Sequence, residues 1–260
     1  MKITTLKNKK LAAIPILYMG LCLSLYIAQR TLLYSPDKSK IYNDRLWGTL
    51  TSNDLVLGLE TKDDYEQVII LFHGRSQNAA GKSAYQKFFP QNYHLIVVEY
   101  PGYGLNNNQS ISKKNFLKHA REVMQYAKSK YGDNIILTGE SLGTGIASQM
   151  ASEFDIKKLF LITPYSSVRD VAQRKYWYAP IFLLLRDNYD NVKNLKEYTG
   201  QTLILISEKD TVIPPRYAEK LYKSLKNSKG KIIVEQAHHT NWGTYLNTDQ
   251  LDTIKNFITT

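Results

Sequence analysis

Beyond residue 60 the chain alternates two kinds of apolar pattern. Short continuous runs lie at 68–72 (VIILF), 95–98 (LIVV), 135–137 (IIL), 159–162 (LFLI), 203–206 (LILI) and 232–234 (IIV). They are rich in β-branched residues and apolar at successive positions, which is how strands of a parallel sheet covered on both faces read. An earlier stretch at 54–60 (DLVLGLE) alternates instead and predicts an antiparallel edge strand. Between the runs, Phe116, Ala120, Val123, Met124, Ala127 and Tyr131 recur at helical spacing, with lysines and Arg121 on the opposite face. Ala218, Leu221, Tyr222 and Leu225 do likewise after Pro214 and Pro215, and Leu251, Ile254, Phe257 and Ile258 predict a closing helix. Strands alternating with helices predict a doubly wound α/β domain. No internal repeat interrupts the series.

The first thirty residues break this rhythm. Lys2, Lys7, Lys9 and Lys10 precede a run at 11–29 that holds no charge and ends at Arg30. As a helix rising 1.5 Å per residue that run is about 29 Å long, close to the ~30 Å hydrocarbon core of a bilayer. Pro15 would sit in its first turns, and Tyr18 and Tyr26 near the two interfaces. A cleaved signal is the rival reading, but Tyr26 stands where the cleavage site Tyr26-Ile27-Ala28 needs a small residue. A lipoprotein signal would need a small residue before Cys22, where Leu21 stands. The expected organisation is a basic tail at 1–10, a single-pass signal-anchor at 11–29 and a catalytic domain at 30–260. The basic start favours a non-cytoplasmic domain, against the opposing pull of Arg30, Lys38, Lys40 and Arg45.

Composition changes this picture little. Hydrophobic residues at 43% and charged residues at 22% exclude disorder. The net charge of +11 favours anionic neighbours such as acidic lipid. The lysines are scattered, however, with no basic helix or RNA-binding signature, and no nucleic-acid partner is expected. Cys22 is the only cysteine, so the chain forms no internal disulfide and no cysteine-type zinc site. No metal or organic cofactor is expected.

The chemistry concentrates at Gly139-Glu140-Ser141-Leu142-Gly143. This G-x-S-x-G follows the run at 135–137 and precedes a helical stretch at 144–153, the strand–turn–helix setting in which the motif places a nucleophilic serine. A helix N-terminus behind Ser141 adds a positive dipole end where negative charge would develop. A serine hydroxyl needs a base to take its proton. His238 and His239 follow the run at 232–234, and Asp210, with Glu208 as a fallback, lies just past the run at 203–206. His73-Gly74-Arg75 follows the run at 68–72, while His94 and His119 read as ordinary surface or core residues.

Together these features resemble the α/β-hydrolase superfamily over about residues 31–260. The resemblance is nearest to its small-cap, membrane-anchored esterase branch. Also similar are Gln29–Pro36 (QRTLLYSP), Glu99-Tyr100-Pro101-Gly102-Tyr103-Gly104 after the fourth strand, Thr163-Pro164-Tyr165-Ser166-Ser167 after the sixth, and the acid loop from Asp210 to Pro215. The resemblance implies a mostly parallel sheet of about eight strands with helices on both faces. It implies a triad in the chain order Ser141, Asp210, His239, with His238 the alternative base. It makes the backbone N–H groups of Arg75 and Leu142 the oxyanion hole. It leaves His73 a structural hydrogen-bonder. Arg75 departs from the branch, which often has a small or amide residue there, and offers a cation to an anionic group. Thr240-Asn241 is a variant of the usual polar pair after the histidine. The implied activity is hydrolysis of a carboxylic ester or thioester through an acyl-enzyme. The substrate would be a small ester, a lipid or an acyl-protein near the membrane. An amidase, a peptidase, an acyltransferase and a non-catalytic anchored binding module are the alternatives. The segment at 166–200, with its Tyr176–Leu185 run, is a short cap-like insertion that either lines an acyl pocket or packs in the core.

Overall fold

The computed structural model describes residues 3–40, 47–52, 55–63 and 65–260, with the side chains of the first helix described from Ile14 onward. Lys2, Arg45 and Asp54, and the side chains of Lys7, Lys9, Lys10 and residues 11–13, therefore lie outside the described residues.

Eight strands form one sheet: β1 (Trp47–Ser52), β2 (Leu55–Thr61), β3 (Val68–Phe72), β4 (His94–Val98), β5 (Ile135–Glu140), β6 (Lys158–Ile162), β7 (Gln201–Ser207) and β8 (Ser228–Val234). Their spatial order is β1-β2-β4-β3-β5-β6-β7-β8. The pairings of β1 with β2 and of β2 with β4 are antiparallel, and all the others are parallel. The apolar runs form strands because both faces of the sheet are covered. Val68, Ile70 and Phe72 enter one core with Phe116, Leu137 and Ile146, while Ile69 and Leu71 enter the other with Phe160, Trp242 and Phe257. At the sheet margins the pattern weakens. β2 is not the edge expected of 54–60: β1 lies outside it, and buries only Trp47 and Leu50 among polar positions, too few for an apolar run. β8 is the other edge and starts at Ser228, ahead of the apolar residues at 232–234, because its first residues are largely in solvent.

Ten α-helices, besides 3-10 turns at Ser83–Phe88 and Gly104–Asn106, accompany the sheet among the described residues. The long ones are α1 (Ile3–Leu33), α3 (Lys113–Tyr131), α4 (Leu142–Glu153) and α10 (Thr248–Thr259). Shorter ones are α2 (Ala79–Lys82), α5 (Val168–Lys175), α6 (Ile181–Leu184), α7 (Asn191–Asn194), α8 (Pro215–Tyr222) and α9 (Trp242–Tyr245). Ser112 caps α3 by accepting from Asn115 N–H, and Asn247 opens α10 with a reciprocal capping box with Gln250. α5, α6 and α7 lie in the segment at 166–200 expected to be cap-like, hereafter the cap.

α1 runs past both ends of the expected 11–29 span. Pro15 therefore lies in the helix interior rather than its first turns, where it removes one backbone hydrogen bond. The boundary expected at Arg30 falls inside the helix. Arg30 pairs with Asp187 at 3.0 Å, and Tyr34, just past the helix, is buried against Tyr189 and Asp187. Upstream, Gln29 bonds the Leu184 carbonyl and the Arg186 N–H, and the Tyr18 hydroxyl reaches the Tyr178 carbonyl. One side of α1 is thus fastened to the cap from Tyr18 to Arg30. Its remaining large apolar side chains, including Ile14, Leu17 and Ile27, are exposed.

Candidate functional site

The sharp turn from β5 into α4 puts Ser141 at the C-terminal edge of the sheet. Ser141 has φ 50° and is the N-cap of α4. That left-handed backbone is strained for a residue with a side chain and persists only where its surroundings fix it. Here Ser141 N–H bonds Ile162 O at 2.9 Å and Thr144 Oγ1 donates to Ser141 O at 2.6 Å. The flanking glycines are steric requirements. A Cβ on Gly143 would stand 2.0 Å from the Phe72 carbonyl oxygen, and one on Gly139 would stand 2.7 Å from Thr144 Cα.

Ser141 Oγ lies 2.8 Å from His239 Nε2, and His239 Nδ1 lies 2.6 Å from Asp210 Oδ2. Asp210 Oδ2 as the acceptor assigns a proton to His239 Nδ1 and leaves Nε2 to accept from the serine hydroxyl. The second Asp210 oxygen accepts from Val212 N–H at 2.9 Å and Ile213 N–H at 2.8 Å, so the carboxylate is fixed by its own loop. The two other candidates stand apart. His238 is exposed, its N–H held by Asn241 Oδ1, and exposed Glu208 accepts from Gln236 N–H.

The 73–75 loop faces Ser141 from the end of β3. A Cβ on Gly74 would meet Ser141 Cβ at 3.5 Å. Arg75 and Leu142 both line the cavity at Ser141. Leu142 is the first residue of α4, where a helical N–H has no carbonyl four residues back. The Arg75 carbonyl is held by the Tyr103 hydroxyl at 2.7 Å and by Ser35 N–H, which fixes the loop. The Arg75 side chain is tied down: its guanidinium donates to the Leu32 carbonyl at 2.8 Å, a free carbonyl in the last turn of α1. His73 is fully buried, with Nδ1 2.7 Å from the Gly74 carbonyl, and burial lowers its pKa to about 4, so it is neutral near pH 7. His94 and His119 are buried away from Ser141, bonded to Glu60 and to the Leu57 carbonyl.

One group of residues at the site was not legible in the sequence, and a second was legible only in its Tyr176–Leu185 part, not in the share that α1 contributes. Behind Ser141, the buried Glu140 carboxylate pairs with the buried Lys82 ammonium and accepts from the Tyr85 hydroxyl at 2.8 Å. Burial pushes the Glu140 carboxyl up, but Lys82 and Tyr85 outweigh it, and the net shift is down. Burial also lowers the Lys82 pKa, which Glu140 partly offsets. A glutamate inside an otherwise apolar turn implied a cation, but nothing in the sequence singled out Lys82. Above Ser141 opens an apolar cavity of about 200 Å³. Its walls include Tyr176, Ile181 and Leu184 of the cap and Leu25, Leu32 and Leu33 of α1.

No family model matches the chain. Among curated proteins, it is 24% identical over 168 residues to an uncharacterised protein of Mycobacterium tuberculosis, an alignment covering 64% of this chain and 59% of that protein. It is 25% identical over 174 residues to alpha/beta hydrolase domain-containing protein 17C of Homo sapiens, covering 64% of this chain and 50% of that one. The alignments thus span only about half to three-fifths of these relatives' own lengths. Among solved structures, the esterase PF2001 of Pyrococcus furiosus superposes with a TM-score of 0.65 at 14% identity, over 86% of this chain and 96% of that one. Est1E from Butyrivibrio proteoclasticus does so with a TM-score of 0.61 at 16% identity, over 82% and 97%. At such identities the likeness is one of fold. A mostly parallel eight-stranded sheet, a serine at the strand-to-helix turn after β5 and these likenesses converge on one assignment: the chain has the α/β-hydrolase fold.

Proposed function

We propose that the protein is a serine hydrolase of the membrane-anchored esterase type, which opens a carboxylic ester or thioester through an acyl-enzyme at Ser141. The observation that carries this reading is the unbroken chain from Ser141 Oγ through His239 to Asp210, with contacts of 2.8 and 2.6 Å. In this mechanism Ser141 Oγ attacks the acyl carbonyl while His239 Nε2 takes its proton. The oxyanion forms between the N–H groups of Arg75 and Leu142, beside the positive end of α4. Asp210 holds the ring and stabilises the imidazolium. His239 then returns the proton to the leaving alkoxide or thiolate as its bond to the acyl carbon breaks. Water, deprotonated by His239, attacks the acyl-enzyme, and the carboxylic acid leaves as Ser141 regains its proton.

The fold and the esterases among its structural neighbours support this chemistry, and the apolar cavity supports a lipid-like or acylated substrate. For attachment we take α1 as a single-pass anchor. It carries no charge at 14–29, and its apolar side chains away from the cap are exposed. The lysines at its start favour a non-cytoplasmic domain. A fluorophosphonate probe should label the full-length protein on Ser141 and fail to label Ser141→Ala. Equal labelling of the two proteins would overturn the assignment.

A further inference from the structure

The cavity above Ser141 is closed on one side by α1, the same helix read above as the anchor. The contacts from Tyr18 to Arg30 run twelve residues along it, about 18 Å of helix. A ~30 Å hydrocarbon core placed over the uncharged 11–29 run covers most of that contact length. A cap fastened to this part of the helix lies at the level of the lipid, not above it. The cap's surface agrees. Trp177, Phe182 and Leu183 are exposed at 77%, 62% and 70% around α6, a cluster of large apolar groups that water disfavours. Arg169, Arg174, Lys175 and Arg186 flank this edge in sequence, as cations at the boundary of an inserted apolar element do. The cavity between the two walls is lined mainly by aliphatic side chains and reaches Ser141.

We propose that α1 is a wall of the substrate site as well as an anchor. The cleft between α1 and the cap holds one fatty acyl chain of a bilayer lipid ester. The chain enters sideways from the hydrocarbon past the Trp177–Leu183 edge and presents its carbonyl to Ser141. This rests on the serine-hydrolase reading above and adds to it the source of the substrate and the residues that measure its chain. A lipid reaching Ser141 by this route keeps its tail in an apolar medium throughout, so the hydrophobic cost of extracting it into water is avoided. The path also explains why Gln29 and Tyr18 spend their polar groups on cap backbone atoms. Those atoms would otherwise face hydrocarbon unpaired.

The test uses the full-length protein in phosphatidylcholine vesicles, with a long-chain monoacylglycerol and a water-soluble acetyl ester as substrates. Leu25→Trp on α1 and Leu184→Trp on the cap fill the cleft from opposite walls. Each should lower the ratio of kcat/KM for the long ester to that for the short one by at least about tenfold. Ile27→Trp, on the exposed face of α1, should leave the ratio unchanged. An unchanged ratio in both cleft variants would overturn the proposal while leaving the hydrolase standing. Hydrolysis of neither ester by the wild type above the Ser141→Ala level would overturn the hydrolase reading, and this proposal with it. Should the tryptophans prevent folding, seen as loss of fluorophosphonate labelling, a photoactivatable fatty acyl ester on the wild type decides. Adducts on the cleft-lining Leu25, Leu33, Ile181 or Leu184 support the cleft, and adducts confined to exposed positions such as Leu17, Ile27 and Phe182 refute it.

Discussion

At the scale of single residues the site divides into groups that would do chemistry and groups that hold them. Ser141, His239 and Asp210 act as a unit in the proposed mechanism. Ser141→Ala and His239→Ala should therefore each lower kcat by roughly 10⁴- to 10⁶-fold, and the double variant little further. Additive losses in steady-state assays would show that the two do not share one step. Behind them, Glu140 and Lys82 are an ion pair almost wholly out of water. Removing one partner of such a pair leaves a buried charge and costs about 3–5 kcal/mol. Lys82→Met should lower stability by that order in urea unfolding, and adding Glu140→Gln should recover part of it, because the neutral amide is cheaper to bury. A Lys82→Met protein as stable as the parent would mean that water already reaches the pair.

At the scale of elements, the loops at the C-terminal ends of the strands carry both the site and the strain. The turn after β5 needs Gly143 because the Phe72 carbonyl passes where a Cβ would be. Gly143→Ala must push β3 and α4 apart, at a cost of at least about 1–3 kcal/mol, which a thermal melt would register together with lost probe labelling. The loop after β4 stores a different tension. Glu99 is buried, and burial raises its pKa to about 7, although the N–H groups of Ala79 and Leu105 counter part of the rise. In the unfolded chain a glutamate titrates near ~4.3. The folded protein then binds the extra proton between the two values, so this group's stabilising contribution is full below about pH 4.3 and is lost as pH rises toward 7. Glu99→Gln should remove that dependence. The drop in unfolding free energy from pH 5 to pH 8 should be smaller in the variant than in the parent, and an equal drop in both would place the cause elsewhere.

At the scale of the whole molecule, the boundary expected at Arg30 falls within a helix that also contacts the domain, through Tyr18, Gln29 and Arg30. A chain beginning at Arg30 keeps the Arg30–Asp187 pair and the burial of Tyr34, but loses Leu25 and Gln29 from the cleft. It should still fold and cleave a short-chain ester. A chain beginning after Tyr34 loses a buried aromatic and should be markedly less stable, since Tyr34 packs on Phe116 at 5.0 Å between ring centres. Equal melting temperatures for the two truncations would contradict this. The intact protein should remain with membranes through an alkaline wash, because a spanning helix does not depend on charge. Release by the wash would make the basic surface the attachment instead.

The sequence by itself determined what depends on local pattern. Runs such as VIILF at 68–72 could be read as buried parallel strands because both faces are covered; five such runs supplied the centre of the sheet, and the sixth, at 232–234, its edge strand β8. Gly139, Ser141 and Gly143 between a strand and a helix marked the strained turn, since only glycines fit beside that serine. What local pattern does not encode, only the tertiary structure decided. β1 and the start of β8 are sheet margins, half in solvent, with too little apolar residue to show. Between His238 and His239 the choice depends on which one the turn after β8 aims at Ser141 and which it leaves in water, a matter of one residue's register. Lys82 meets Glu140 across 58 residues, and Arg75 meets Leu32 across 43, through chain reversals that no spacing rule spans. The place of α1 in the cavity wall is of the same kind. A uniformly apolar helix looks the same in sequence whether its neighbour is lipid or protein, and only the packed cap shows that one side of it faces the site.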